Sequence, residues 1–233
     1  MLKWLPDKLF DLWRKFFATY SIIDPQAIAR ENPYTYYLPQ SDFLSALTAG
    51  DIVKIIFDGH PAGRKHSSER MWVKITEREG DNFVGLLDNI PFDMPQLSPG
   101  DRVEFSLKHI IDIDWDDEEL EKRRLNRREK RQYWDRCLVD KVVLSHKIPV
   151  QYIYRETPDM GNDDDKYPDS GWRIRGNIDL MTQEQYDNED ASYIAIGKVL
   201  NIDDSWLDLV DSPIGSRFFK NEETGKFEAD TEE

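Results

Sequence analysis

From residue 7 to residue 20 the apolar side chains Leu9, Leu12, Trp13, Phe16, Phe17 and Tyr20 recur at spacings of three and four, with Lys8, Arg14 and Lys15 off the stripe. That period predicts an amphipathic helix, with Asp7 after Pro6 as its cap. Two roles fit it: a helix on a membrane surface, or one docked on the body of the protein or on a second copy. Its short, weakly basic polar face favours docking. Residues 29–39 are bounded by prolines and read as extended. Ser41 then caps a short helix through Phe43, Leu44 and Leu47.

At residue 52 the period changes to two. Runs 52–57, 71–76, 83–88 and 103–105 read as strands, with a tight hairpin at Gly80-Asp81-Asn82 and a turn at Ser98-Pro99-Gly100-Asp101. Short strands at this spacing predict a small half-open barrel. The stretch from 58 to 69 reads as a long basic surface loop holding His60, Arg64, Lys65 and His66. Residues 116–135 read as a helix that starts acidic and turns basic, an order that complements the helix dipole, and its basic side is expected to pair with acids further on. Strands are expected at 137–145 and 150–155, then again from Trp172 after a loop rich in Asp, Asn and Gly. Residues 194–200 read as a short helix or strand, 203–210 as a helical turn, and the tail from Asn221 as charged and frayed. The expected organisation is an α+β protein: an N-terminal amphipathic helix (1–27), a barrel-like domain (28–115), a connecting basic helix (116–135), a second α+β domain (136–220) and a charged tail (221–233).

Charge changes this picture in one respect. The chain carries a net charge of −15, and residues 156–233 hold seven basic against 21 acidic residues, a balance of −14. Such a field either repels nucleic acid and anionic membrane and steers basic partners inward, or serves solubility alone. Asp187, Glu189 and Asp190, on a polar stretch that reads as surface, are the candidate partner-binding residues. No apolar run is long enough to span a bilayer, and the first seven residues lack the features of a signal peptide, so a cytoplasmic protein is expected. The single cysteine, Cys137, fits a reducing compartment.

Candidate chemistry concentrates in one place. The two strands on either side of the Asp-rich loop bring Tyr154, Arg155, Glu156, Asp169, Trp172 and Arg173 within reach of one another, with Arg155 and Asp169, at the strand ends flanking the loop, expected to pair across it. The cluster has a structural reading, in which Arg–carboxylate pairs pin the loop and Trp172 is core, and a functional one, in which it binds a ligand or substrate. Elsewhere no Ser–His–Asp spacing or nucleophile elbow is readable. Gly59-x-x-x-Gly63-Arg64-Lys65 lacks the strand–loop–helix context of a phosphate loop. The four histidines are scattered and Cys137 is alone, which argues against zinc, and Asp159, Asn162, Asp163, Asp164 and Asp165 do not follow EF-hand spacing. No catalytic residue, metal or cofactor is expected.

Two resemblances add to this reading. The runs Gly50-Asp51-Ile52-Val53-Lys54-Ile55-Ile56-Phe57, Glu69-Arg70-Met71-Trp72-Val73-Lys74-Ile75-Thr76, Gly80-Asp81-Asn82-Phe83-Val84-Gly85 and Pro99-Gly100-Asp101-Arg102-Val103-Glu104-Phe105 resemble an uncharacterised bacterial β-barrel family, domain of unknown function 2314. That family implies no catalytic residues. Cys137-Leu138-Val139, Val150 to Glu156, Asp169-Ser170-Gly171-Trp172-Arg173, Leu200-Asn201-Ile202-Asp203 and Asp211-Ser212-Pro213-Ile214-Gly215-Ser216 resemble the immunity-protein 33 family, also catalogued as domain of unknown function 2185. This resemblance implies a protein that neutralises a protein toxin encoded nearby. The expectation is a non-enzymatic immunity protein that occludes a basic toxin. The alternatives are a small-ligand-binding or enzymatic domain built on the Arg/Glu/Asp/Trp cluster, or an interaction module with no toxin partner.

Overall fold

Alternating apolar residues build the first sheet. The structure is a computed structural model that describes residues 7–128, 130–145, 147–161, 165–187 and 190–231. Helix α1 (Asp7–Phe17) is followed by β1 (Thr19–Ile22), α2 (Gln26–Glu31) and α3 (Ser41–Ser45). Then come β2 (Ile52–His60), β3 (Ser68–Glu79), β4 (Asn82–Leu87), β5 (Arg102–Ser106), β6 (Asp112–Ile113) and α4 (Asp117–Lys122). The strands pair antiparallel in the order β1-β2-β3-β4-β5, and β6 joins the same side of β2 as β1, giving a nearly closed barrel. Val53, Ile55, Phe57, Met71, Val73, Ile75, Phe83, Leu87, Val103 and Phe105 point inward. Phe43, Leu47, Met94, Leu97, Ile110 and Trp115 fill the rest of its core.

Two turns of the same design brace the β3–β4 hairpin. In Leu47-Thr48-Ala49-Gly50-Asp51 and Leu97-Ser98-Pro99-Gly100-Asp101 the glycine takes a φ of +99° and +90°, open to glycine without strain. In each, the Asp N–H closes the turn on the Thr or Ser carbonyl, and the Asp side chain accepts the N–H of that same residue at 2.7 Å. Each turn then bonds twice to one hairpin strand: Gly50 and Asp51 to Ile75, Gly100 and Asp101 to Leu87.

The carboxylate of Asp51 does more than close its turn. It is buried, and Oδ1 accepts from Trp115 Nε1 at 2.9 Å and from Arg123 Nη2 at 2.7 Å. Arg123 also reaches Ala46 O and Glu119, both at 2.7 Å.

Several expected elements differ here. The helix over 7–20 stops at Phe17: residues 19–22 pair with the Phe57–His60 end of β2, and Tyr20 packs its ring against Phe57 at 5.4 Å. Residues 29–31, expected extended, complete α2. The basic loop is shorter than expected because β2 and β3 run on to His60 and back from Ser68. The basic connecting helix over 116–135 is corrected most. Asp116 caps α4 through Glu119 N–H at 2.8 Å, but the helix ends at Lys122, and Arg124 takes a φ of +56°. Within α4 only Leu120 is buried, so the following run has no apolar stripe to hold it helical. Its groups bond outside any helix instead: Arg127 to Trp115 O, and the Arg128 N–H to Gln40 Oε1.

The second sheet contains β7 (Arg136–Asp140), β8 (Val150–Arg155), β9 (Asp169–Gly176), β10 (Ala191–Ala195), β11 (Arg217–Lys220) and β12 (Phe227–Ala229). With it go α5 (Lys141–Leu144), α6 (Gln183–Asp187) and α7 (Ile196–Leu200). The order is β10-β7-β9-β8-β11-β12, parallel only between β7 and β9. Residues 141–144, expected to continue a strand, form α5 instead. Cys137, Val139, Ile153, Trp172 and Ile174 face Val143, Val199, Leu200, Trp206 and Val210 across a core in which the rings of Trp172 and Trp206 lie 5.6 Å apart. Burial pushes the Cys137 thiol well above its ordinary pKa.

The chain divides into one unit of Met1–Arg30 with Tyr37–Glu129, and another of Glu31–Tyr36 with Lys130–Glu233. The expected boundary at residue 28 therefore misses a short strap. Within the second unit Asn201 holds it, accepting from Tyr34 N–H at 3.0 Å and donating to Thr35 Oγ1 at 2.7 Å. The Tyr34 hydroxyl donates to Asp204 at 2.7 Å, and its pKa rises to about 12, first through burial and then through that carboxylate. A Cβ on Gly197 would stand 2.5 Å from Tyr34 O, so the strap requires glycine there.

Replacing Asp51 with alanine strands Arg123 and Trp115 without their shared acceptor. Urea unfolding of the full chain should show a loss of about 3–5 kcal/mol. A loss below about 1 kcal/mol, the range of exposed pairs, would mean the carboxylate is not a structural hub.

Candidate functional site

Strand alternation divides the cluster between two faces of the second sheet. Arg155 stands opposite Trp172 on the helix-covered face, whereas Tyr154 stands opposite Arg173 on the other. Arg155 and Asp169, expected as partners across the loop, are not paired. Arg155 donates to Ser170 O at 2.9 Å and to Ser212 O at 2.7 Å, and lies 5.8 Å from the Trp172 ring centroid. Its backbone exchanges bonds with Gly215 and Ser216. Arg155 is thus the physical link between the Tyr-Arg-Glu strand end and the Ser-Pro-Ile-Gly-Ser turn.

The partner of Asp169 is Arg173, two turns of the pleat away on the same strand and face. The guanidinium is 2% exposed, and each of its N–H groups finds an acceptor. Nη1 and Nη2 donate to the two Asp169 oxygens at 3.0 and 2.9 Å. Nε goes to Glu156, the second Nη2 hydrogen to Asp159 at 2.7 Å, and the second Nη1 hydrogen to Trp172 O at 3.2 Å. Asp169 also accepts the N–H groups of Gly171, Asp159 and Met160. Burial pushes its carboxyl up, but Arg173 and these N–H groups outweigh burial and hold it below the ordinary carboxylate range. The hydrogen bond to Asp169 raises Arg173 in turn. Gly171 has a φ of +80°, and a Cβ there would stand 2.1 Å from Glu156 O. Each residue of Asp169-Ser170-Gly171-Trp172-Arg173 therefore has an internal task; the Ser170 hydroxyl bonds Arg136 O at 2.7 Å, and the Trp172 indole bonds Val210 O at 3.0 Å.

The side of the sheet away from α5 and α7 has a different character. Register places Tyr193, Leu138, Arg173, Tyr154 and Arg217 in one row across it, and Arg175, Tyr152 and Phe219 in the next. Tyr152, Tyr154, Tyr193 and Leu138 are half-buried, and Phe219 is 39% exposed. The rings of Tyr152 and Tyr154 lie 5.9 Å apart. Arg175 is held by Asp140 at 2.7 Å and reaches the Tyr154 hydroxyl at 3.4 Å, while the Tyr152 hydroxyl donates to Asp230 at 2.8 Å. Burial, then Asp230, raises Tyr152. Glu156, Asp159, Glu228 and Asp230 supply negative charge beside these aromatics. Sequence reading singles out Tyr154 but not Tyr193, Arg217 and Phe219, because only the strand register shows that they share this face.

The acidic candidates lie elsewhere in the unit. Asp187 ends α6, exposed, and accepts from Gln183 at 2.7 Å. Asp190 precedes β10, exposed, and pairs with Lys141, which lowers its pKa. Glu189 lies outside the described residues, as do His146 and the Asn162, Asp163 and Asp164 of the Asp-rich loop. The expected pairing of basic residues after α4 with later acids occurs at Arg131, which grips Asp211 with both Nη atoms. The loop with Gly63, Arg64 and Lys65 cradles an anion after all, but the anion is internal: Lys65 and His66 N–H groups donate to Asp93 Oδ2 at 2.8 and 3.2 Å. Among the described residues no group of three or more His, Cys, Asp or Glu side chains is placed to hold a metal ion, and no helix is long and apolar enough to cross a membrane.

Residues 137–231 match the family model described as the immunity protein Imm33 domain. Residues 41–121 match that of an uncharacterized protein conserved in bacteria, DUF2314. No curated protein and no solved structure matches the chain.

A double-mutant cycle separates the two arginines. Arg173→Ala and Asp169→Ala should each cost about 3–5 kcal/mol, and together much less than the sum. Arg155→Ala with Asp169→Ala should add to within about 0.5 kcal/mol. Acid titration gives a second readout. The folded pKa of Asp169 lies below its unfolded value of about 3.9, so its contribution is complete above that value and is lost as pH falls through the folded pKa. Below about pH 4 the wild type should lose stability more steeply than Asp169→Asn. Parallel acid curves would remove Asp169 from the accounting.

Proposed function

We propose that the protein is a non-enzymatic immunity protein that binds a cognate protein toxin and neutralises it by occlusion, through the face of the second sheet away from α5 and α7. The observation that carries this reading is coincidence: the region matching the immunity-domain model contains a sheet face of aromatics and arginines with no helix of α5 or α7 over it. Tyr and Arg at the centre of a patch are the side chains that dominate binding energy at protein interfaces. The excess of acid in residues 156–233 favours a toxin with a basic binding surface and speeds encounter with it. Asp187, Glu189 and Asp190 take the role of steering charges outside the aromatic centre.

The cluster around Arg173 supports this reading over a ligand-binding or enzymatic one. A guanidinium whose N–H groups are all bonded internally has none left for a substrate, and Asp169 and Glu156 are engaged by it. An interaction module with another kind of protein partner would use the same face, and identifying the partner decides between the two.

Co-expression pull-down with the product of the neighbouring gene tests the partner directly. With that partner, Tyr152→Ala and Tyr154→Ala should each weaken binding by more than about 1 kcal/mol, chiefly through faster dissociation. Asp187→Lys, Glu189→Lys and Asp190→Lys together should slow association at low salt and leave dissociation nearly unchanged. An acidic partner would overturn the electrostatic part, and wild-type affinity in both tyrosine variants would overturn the assigned face.

A further inference from the structure

Helix α1 docks on the first unit by the edge of its apolar arc, not by its centre. Phe10 and Arg14, one turn apart, are the buried residues. Arg14 donates to Asp93 Oδ1 at 2.8 Å and also reaches the Asp93 carbonyl, and Asp93 is the carboxylate cradled by Lys65 and His66. Arg64 stacks on Phe10 at 4.6 Å. Arg14 is thus not a solvent-facing charge beside the stripe. The apolar stripe itself points outward: Leu9, Leu12 and Phe16, spaced three and four residues apart, are 53%, 55% and 69% exposed, and Phe17 at the helix end is 66% exposed. A helix held only for packing would bury these residues and leave the arginine in water. The loop that supplies Asp93 adds Ile90 and Phe92, 81% and 69% exposed, with the Lys65 ammonium 5.3 Å from the Phe92 ring.

We propose that this face of the first unit is a peripheral membrane-docking surface for anionic lipid. The outward residues set the occupant. Leucine and phenylalanine on one side of a helix with lysine beside them is the composition of helices that lie in the headgroup layer. Lys8 and Lys15 are both exposed and seven residues apart, on the flank of the stripe, and Asp11 turns to within 3.5 Å of Arg14. The net charge of −15 argued against an anionic surface, but its excess lies in residues 156–233, whereas residues 1–20 carry four basic and two acidic side chains. This inference does not rest on the partner assigned to the second sheet.

The test is co-sedimentation of the full chain with vesicles of phosphatidylcholine alone and of phosphatidylcholine with phosphatidylglycerol, alongside sedimentation velocity without lipid. The full chain should be a monomer that pellets with the anionic vesicles and stays with the supernatant of the neutral ones. Lys8→Glu with Lys15→Glu should weaken that binding by about tenfold or more, and Leu12→Ser with Phe16→Ser should abolish it. Because these side chains lie outside the core, circular dichroism should be unchanged in both variants. Failure to bind anionic vesicles, or equal binding to neutral ones, overturns the proposal. So does a dimer that Leu12→Ser with Phe16→Ser dissolves, which would make a second copy the occupant.

Discussion

A charged pair in the middle of a sheet is what the second unit is built to accommodate. Arg173 and Asp169 sit on β9, the strand flanked by β7 and β8, where water does not reach. Taking two such groups out of water costs several kcal/mol each unless every donor and acceptor is met. That requirement accounts for features that otherwise look arbitrary. Glu156 and Asp159 must return over the strand to meet the remaining N–H groups, so the chain after β8 folds back. Gly171 must be glycine so that Glu156 can approach. The backbone at Asp159 and Met160 must point its N–H groups inward to Asp169. The polar motif is conspicuous in the chain because a buried charge constrains many neighbours.

The same device recurs in the first unit. Asp51 gathers Arg123, Trp115 and its own turn, and Asp93 gathers Arg14 and the N–H groups of a basic loop. For Asp93, as for Asp169, burial alone would raise the carboxyl, and the arginine and backbone donors more than reverse it. Acid in this protein is therefore partly structural. Some of its carboxylates are internal fasteners that draw an arginine and two or more backbone donors to one point.

Much of the fold was legible because it rests on local rules. Period-two alternation located the barrel strands. Gly80 and Gly100 marked turns that need positive φ, and Asp116 marked a helix start. What failed was whatever depended on a distant partner. Tyr20 fits a helical stripe, but the Phe57–His60 end of β2 takes it as strand. The run of arginines after Lys122 has good helix propensity but no apolar stripe to hold it helical. Asp169 was matched to the wrong arginine although parity along the strand already favoured Arg173, four residues on and on the same face. The aromatic face needed register, which no local pattern contains, and Arg14 looked like a surface charge because its carboxylate lies 79 residues away.

The strap formed by Glu31–Tyr36 has a consequence for how such proteins can evolve. Those residues lie between β1 and β2 in the chain, yet they complete the other unit by bonding Asn201, some 170 positions later. On the ribosome they emerge long before their docking site exists, so the barrel can close while the strap is still waiting. A recombination event that exchanged only residues 137–231 would import a unit whose new Gly197 and Asn201 equivalents must still fit the old strap. The two matched regions are therefore not interchangeable beads on a string: six residues lying outside both make their inheritance a joint one.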